Sequence, residues 1–192
     1  MLPRMRPPQA SINSIAGNYA DAATYPAPSG EVAVKYEATQ IRPIRVAMSQ
    51  AYRAFVDALS VASRFNRFHV MGHTIHDSVV KHLTDVDQLN HVALAAFDDA
   101  EPGRMIAEAR YIVDEHCSAE WAIAVTDRWQ RKGLGMTLAS ILLGHARTHH
   151  VIRVWGTVQR SNKPMQLLAR RLAFTERYYQ RDSRLVLIER GL

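Results

Sequence analysis

A short basic loop with two glycines, Gln130-Arg131-Lys132-Gly133-Leu134-Gly135, is the segment of this chain whose residue types best suit chemistry. A strand-like run precedes it, and an apolar stripe at helical spacing follows it. The first turn of a helix leaves backbone N–H groups without internal partners and carries partial positive charge. Glycines let the main chain approach an anion closely, and Arg131 and Lys132 add positive charge. The segment is therefore typical of a loop that binds a pyrophosphate.

Two better-known nucleotide-binding patterns fit this loop poorly. The Walker pattern requires Gly-Lys followed by Ser or Thr, and the dinucleotide fingerprint requires a third glycine. The loop has neither feature. A Gln-x-x-Gly-x-Gly string on its own also occurs by chance, so the interpretation depends on the strand before it and the helix after it.

Composition limits the classes of protein to which the chain can belong. The 192 residues carry a formal charge of +6, which favours a polyanionic partner, either nucleic acid or a phosphate-rich small ligand. The basic residues are scattered, so solvated surface charge is the alternative explanation. No apolar run is long enough for a membrane helix or a secretory signal, and the single cysteine, Cys117, excludes an internal disulfide. We expect a cytoplasmic protein without a membrane partner.

The chain divides into an N-terminal extension and one domain. Residues 1–36 are rich in proline and small polar residues and have no sustained period, which predicts poor order apart from one short helix near Ile12 to Ala20. Residues 38–192 have the alternating patterns of a folded domain.

The predicted elements of that domain change from mostly strand to strand-helix-strand. A turn at Ala100 to Gly103 joins two of the predicted strands as an antiparallel hairpin. The predicted strands are Ile41 to Ile44, His91 to Phe97, Arg104 to Val113, Ala119 to Thr126, Val151 to Val158 and Arg184 to Glu189. The predicted helices are Met48 to Leu59, Asp77 to Leu83, a stripe through Leu138 and Ala146, and a stripe from Met165 to Leu172. This order predicts a mixed sheet of the α/β or α+β class.

Several of these segments resemble a known family. The run from Ala119 to Gly135 resembles the central strand and acyl-CoA loop of GNAT acyltransferases, and Ser161-Asn162 with Leu172-Ala173-Phe174 resembles a second segment of that family. The opening Ile41-Arg42-Pro43-Ile44-Arg45 resembles Pat-type bacterial protein lysine acetyltransferases, as do Leu59-Ser60, Arg67-Phe68 and Ala119-Glu120. The resemblance covers about residues 41–190. It implies a mixed sheet of six or seven strands, splayed near the middle and flanked by about four helices.

The resemblance also implies a cofactor site. Acetyl-CoA would be the acyl donor, and the acyl group would pass directly to an amine. Backbone amides at a bulge near Ala124, Val125 and Thr126 would orient the pantetheine. Asn162 would hydrogen-bond the pantetheine arm. The pyrophosphate would bind the loop formed by Gln130, Arg131, Lys132, Gly133, Leu134, Gly135 and Met136.

A lysine acceptor requires a base, and Glu120 is the candidate. In the predicted strand, Glu120 shares a face with Ala122 and Ala124, which leave room for a ligand beside the carboxylate. A glutamate at the matching position is the base in the Pat-type enzymes that the chain resembles. The alternative is a solvent-facing or ion-paired strand residue. Glu108 on the neighbouring strand is the competing carboxylate, and its own alternative is an ion pair with Arg110.

Other side chains have simpler explanations. Pro164 in the next turn makes Asn162 a helix N-cap as well, and cap and ligand contact are compatible. We expect the histidine pairs, His73 with His76 and His149 with His150, to be surface residues without a metal, and Cys117 to be no nucleophile. We expect Phe65 and Phe68 in the core, with Arg64 and Arg67 bordering the acceptor groove. Many GNAT enzymes carry a tyrosine acid where this chain has Ala169, so water, Tyr178 or Tyr179 would protonate the thiolate.

The acceptor and two rival functions remain open at this point. Protein lysine is the first choice of acceptor, and a small-molecule amine is the second. One rival is a non-catalytic module that binds acyl-CoA, and the other is a nucleic-acid-binding domain. The basic residues near the glycine loop are placed for a compact anion, which argues against the nucleic-acid-binding domain. A homodimer is compatible with the sequence.

Overall fold

The computed structural model describes residues 34–69 and 75–192, which form one mixed sheet with helices on both faces. The strands are Val34–Tyr36 (β1), Thr39–Pro43 (β2), His91–Asp98 (β3), Met105–Val113 (β4), Ser118–Val125 (β5), Arg153–Gln159 (β6), Thr175–Tyr178 (β7) and Leu185–Gly191 (β8). The helices are Ser49–Asp57 (α1), Val61–Phe68 (α2), Asp77–Thr84 (α3), Leu134–Thr148 (α4) and Lys163–Arg171 (α5). Short 3-10 turns precede α1 and α4. None of the helices in these two ranges could cross a bilayer.

The sheet order is β1-β2-β3-β4-β5-β6-β8-β7, and only β5 and β6 are parallel neighbours. Their pairing is brief, since it joins Ser118–Glu120 to Arg153–Trp155 and then stops. On its other edge β5 stays paired with β4 from Ala119 to Val125. The two parallel strands therefore part after Glu120, and this is the splay that the resemblance implied.

Two cores lie on opposite faces of the sheet, and β5 contributes to both. Ala119 and Trp121 belong to the larger core, which α4 and α5 cover, and Ile123 and Val125 pack against it. Ala124 belongs to the smaller core, which α1 and α3 cover. The alternation predicted for this strand is therefore confirmed.

The predicted fold class is confirmed, and the described residues contain somewhat more structure than was predicted. They hold eight strands rather than six or seven and five α-helices rather than about four. The strand β7 was missed because all four of its residues are exposed at the sheet edge, so it shows no alternation of apolar and polar residues. The helix α2 was missed because its buried side is the stem of Arg64 rather than an apolar stripe.

The N-terminal boundary also differs from the prediction. Val34–Tyr36, the last residues of the predicted extension, form β1 and pair with β2. Residues 1–33, with the short helix predicted near Ile12 to Ala20, lie outside the described residues.

Candidate active site

A cleft of about 1140 Å³ opens where β5 and β6 part. Residues 120–125 of β5 form one wall, and residues 156–158 of β6 form the facing wall. The helices α2 and α5 and the glycine loop before α4 close its sides. The predicted base, Asn162 and all of the predicted loop except Lys132 and Leu134 line this one space.

The glycine loop leads directly into α4. Gly133 is the N-cap of that helix, with a φ of 88°, and no side chain caps the helix. Thr137 is the first residue whose amide bonds within the helix, to the carbonyl oxygen of Gly133 at 3.1 Å. The hydrogen bonds of the described residues include no acceptor for the amides of residues 131–136. These amides are free for an anion, as the sequence predicted.

Positive side chains also line the cleft. Arg131, Lys163 and Arg171 line it. Lys132, in contrast, lies over the ring of Trp129, with 5.2 Å from its Nζ to the ring centroid. Leu134 is buried in the core, so its side chain does not face the cleft. A diphosphate at the loop would meet its free amides beside Arg131, and such donors suit a diphosphate.

Two amide side chains brace the cleft walls. Gln130 donates from Nε2 to the carbonyl of Val125 at 2.9 Å and to Ser63 Oγ at 3.1 Å, which ties the loop to β5 and α2. Asn162 caps α5 by accepting from the amide of Met165 at 3.2 Å, and it also lines the cleft. The cap is thus present, and a ligand contact remains compatible with it.

The bulge expected near Ala124 to Thr126 was a wrong prediction. The register between β4 and β5 is unbroken up to Val125, and the amide of Thr126 donates to the carbonyl of Ile106 at 2.9 Å. Successive amides of a strand point to opposite edges, so those of Ala124 and Thr126 face β4. The amides of Val125 and Ile123 face the cleft instead. Ile123 is a cleft residue that the sequence prediction left out, and the two-residue alternation of a strand, counted back from Val125, was the signal for it.

Glu120 lies at the point where the two strands separate. It is exposed and lines the cleft. The ion pairs within the described ranges do not include it. Arg67 also lines the cleft. Burial lowers the pKa of Arg67, Glu108 raises it most, and Glu120 adds a smaller increase.

Glu108 is fully buried and neutralised by arginines, as the alternative for it predicted. It accepts from Arg67 Nε at 2.7 Å and from Arg110 Nε at 2.8 Å. Burial raises the pKa of Glu108, but Arg110 and Arg67 together lower it to about 2. A carboxylate that binds protons this weakly at neutral pH is a poor base, so Glu120 is the better candidate.

In the aromatic-basic helix α2, the side chains that are buried and those that line the cleft differ from the prediction. Arg67 borders the cleft as expected, but Arg64 is buried and donates to the carbonyls of Asp57 and Leu59. Phe68 packs against the smaller core, and Phe65 is half-buried. Arg64 thus secures the end of α1 and does not face the acceptor.

The remaining candidates lie away from the cleft. Ala169 is buried, and neither Tyr178 nor Tyr179 lines the cleft. Cys117 is exposed in the turn before β5. Within the described ranges no three metal-binding side chains cluster, and His73 lies outside those ranges.

Comparison with known proteins decides the family. The model of the acetyltransferase (GNAT) family matches residues 60–174. The chain belongs to the GNAT family. It is accordingly an acyl-CoA-dependent N-acyltransferase, and the family's donor, acetyl-CoA, suits the amides and cations of the cleft.

Solved structures of acetyltransferases share the fold. The GNAT domain of S. lividans PAT is 23% identical with a TM-score of 0.76, over 87% of this chain and 100% of that one. RimL, a ribosomal L7/L12 alpha-N-protein acetyltransferase in complex with coenzyme A, is 14% identical with a TM-score of 0.63, over 82% and 96%. The ribosomal-protein-S18-alanine N-acetyltransferase from Escherichia coli is 20% identical with a TM-score of 0.58, over 80% and 92%. No curated protein sequence matches the chain.

Proposed function

We propose that this GNAT protein transfers an acetyl group from acetyl-CoA to a lysine side chain of another protein, with Glu120 as the general base. One observation carries the proposal: Glu120 is the last residue at which β5 pairs with β6, so its carboxylate lies at the opening of the cleft. The ion pairs of the described residues leave it unneutralised.

The chemistry of a lysine acceptor explains the need for this carboxylate. A free ammonium has a pKa of about 10.4, so making it neutral at pH 7 costs about 4–5 kcal/mol unless a base takes the proton. Glu120 would accept that proton at the cleft opening. The neutral amine nitrogen then bonds to the acyl carbon as the carbon–sulfur bond breaks. The nitrogen loses its second proton to water, water protonates the departing thiolate, and Glu120 returns the first proton to solvent.

Other residues of the cleft would orient the donor. The amides of Ile123 and Val125 face the cleft and can hydrogen-bond a carbonyl there, while the free amides of the glycine loop would hold the pyrophosphate. The contact of Arg67 with Glu108 would keep its guanidinium from pairing with Glu120. A positioned base of this kind contributes about 10²- to 10⁴-fold to rate.

The choice of a protein acceptor rests on the opening of the cleft and on the family's solved structures. The exposed carboxylate of Glu120 can be reached by a long side chain from outside. The structures with this fold include two that act on ribosomal proteins by name. A small-molecule amine is the second candidate. A cytoplasmic location would supply both acetyl-CoA and protein acceptors.

Replacement of the base tests the proposal. Glu120→Gln should lower kcat at pH 7 by about a hundredfold or more while it leaves the Kd for coenzyme A within about twofold. Thiol release from acetyl-CoA, measured from acidic to alkaline pH, reports both the rate and its pH profile. Glu115→Gln, at an exposed residue before β5, is the matched control and should behave as wild type. An unchanged pH–rate profile in Glu120→Gln would remove Glu120 from the mechanism.

The acceptor is tested with the same assay. Lysine-bearing proteins should release thiol faster than free amines at equal lysine concentration, and mass spectrometry should find acetyl-lysine on them. Faster turnover of a small amine would favour the second candidate. Tight coenzyme A binding with no turnover on any acceptor would instead indicate a non-catalytic acyl-CoA-binding module.

A further inference from the structure

Tyr36 makes a long-range contact with the glycine loop that the mechanism above does not use. Its hydroxyl donates to the carbonyl oxygen of Lys132 at 3.1 Å, across 96 residues of sequence. Tyr36 is the last residue of β1 and packs against the larger core. It therefore reaches the loop from a strand outside the strand-loop-helix motif.

The main chain of Tyr36 is held by a tight hairpin. Tyr36 pairs with Thr39 across the two-residue turn between β1 and β2, and Thr39 Oγ1 donates to the carbonyl of Tyr36 at 2.6 Å. Glu37 takes a left-handed conformation in that turn, with a φ of 48°. Thr39 itself is fully buried. The phenol is thus presented to the loop from a secured position.

The contact has a direct consequence for the amide of Gly133. The peptide between Lys132 and Gly133 is trans, so its C=O and N–H point in opposite directions. Tyr36 holds the carbonyl oxygen on one side, which leaves the N–H of Gly133 directed to the other. Gly133 lines the cleft, and its amide has no acceptor among the described residues.

A side chain at position 133 would also compete with Tyr36 for space. A Cβ built on Gly133 would collide with the hydroxyl oxygen of Tyr36. The left-handed φ of Gly133 and the proximity of Tyr36 therefore act together at this one residue. The tyrosine occupies the space beside the glycine and bonds the peptide before it.

We propose that Tyr36 is a positioning residue for the diphosphate of the acyl donor: its hydroxyl orients the Lys132–Gly133 peptide so that the Gly133 amide faces the anion. This role rests on the proposed donor site but not on the acceptor or on Glu120. Tyr36 would touch the loop alone and not the donor. Its removal should therefore weaken only those ligands that carry the diphosphate.

Tyr36→Phe tests the role with little risk to folding, since it deletes one exposed hydroxyl and keeps the ring in the core. Calorimetry would measure the Kd of the full chain for coenzyme A, for dephospho-coenzyme A, which keeps the diphosphate, and for pantetheine, which lacks it. The Kd for the first two should rise about threefold to tenfold, the usual range for one hydrogen bond, and that for pantetheine should stay unchanged. Tyr178→Phe, at an exposed edge residue outside the cleft, is the matched control.

The three ligands separate the possible outcomes. An equal loss for all three ligands would indicate a general structural effect and overturn the role, and so would unchanged binding of coenzyme A. A loss confined to the two diphosphate ligands supports the role even if no acceptor is acetylated, in which case the proposed transfer reaction fails separately.

Discussion

The two glycines of the loop are under different constraints at the residue scale. Gly133 has a φ of 88°, which a side chain rarely tolerates, and it has Tyr36 beside it. Gly135 lies in the first turn of α4 with ordinary helical geometry. A Cβ there would meet Ile123, Leu168 and Val125 at 3.7 to 3.8 Å, which is normal van der Waals contact. The sequence motif requires glycine at both positions, whereas in the structure only Gly133 has a conformation and a neighbour that disfavour a side chain.

This difference predicts unequal effects of substitution. Gly133→Val should weaken coenzyme A binding by at least about tenfold, because a left-handed conformation costs a side chain about 1–2 kcal/mol and the new atoms must displace Tyr36. Gly135→Ala should change the Kd by less than about threefold, since alanine favours the helix and fits the space. Calorimetry on variants with wild-type circular dichroism measures both. Equal losses at the two positions would contradict this account of the loop.

At the element scale, the central helix α4 has a buried polar contact that is not part of the cleft. His145 is almost fully buried, and Tyr111 Oη lies 2.5 Å from its Nδ1. Burial raises the pKa of Tyr111, so the phenol keeps its proton and can hydrogen-bond with the imidazole. Burial, with a smaller contribution from His149, lowers the pKa of His145 to about 3. The contact joins α4 to β4 behind the cleft.

The buried histidine predicts acid sensitivity of the fold. An unfolded histidine has a pKa of about 6.5, so below that pH the unfolded chain takes up a proton that the folded chain resists until about pH 3. Stability from this group is therefore complete above pH 6.5 and falls as the pH drops, by up to about 1.4 kcal/mol per pH unit. Urea unfolding at pH 7 and pH 5 measures the change.

A double variant isolates this contribution. His145→Leu combined with Tyr111→Phe removes both polar partners together, so that neither is left buried alone. It should show a smaller loss of stability between pH 7 and pH 5 than wild type, whereas His116→Leu, at an exposed residue, should not. An identical pH dependence in the double variant and wild type would show that His145 is not the responsible group.

At the scale of the whole molecule, the structure shows where part of the net charge of +6 lies. Composition alone allowed a polyanion such as nucleic acid, or solvated charge. The structure places Arg131, Lys163 and Arg171 along the cleft, with Arg131 in the loop of free amides. It also commits Arg67 and Arg110 to the buried Glu108. Part of the positive charge thus lines the cleft, and part neutralises the buried carboxylate of Glu108.

This distribution predicts how salt affects donor binding. The KM for acetyl-CoA should rise severalfold between about 0.05 M and about 0.5 M salt, because ions screen exposed charges. S-acetylpantetheine, which lacks the phosphates, should show no such rise. Arg131→Ala should reduce the salt dependence, and Arg104→Ala, in the turn between β3 and β4, should leave it as in wild type. Competition by duplex DNA with a steeper salt dependence would favour the nucleic-acid alternative.

The sequence by itself determined the features that depend on residues close together along the chain. The glycine loop, the strand before it and the helix after it are contiguous, so the free amides of Gly133 and Gly135 follow from residue types and helix geometry alone. The face of Glu120 follows from the two-residue period of a strand. These features depend on neighbours within a few residues, and the sequence therefore predicts them.

Only the tertiary structure decided which of the eligible residues are free to act. Glu108 and Glu120 were rival bases until Arg67, 41 residues from Glu108, was found paired with Glu108. Tyr36 belonged to the predicted extension, yet the fold places its hydroxyl on the glycine loop. The cleft itself exists because β6 pairs with only three residues of β5 before it diverges. Such contacts join distant segments through sheet order and packing, which no local pattern of residue types encodes.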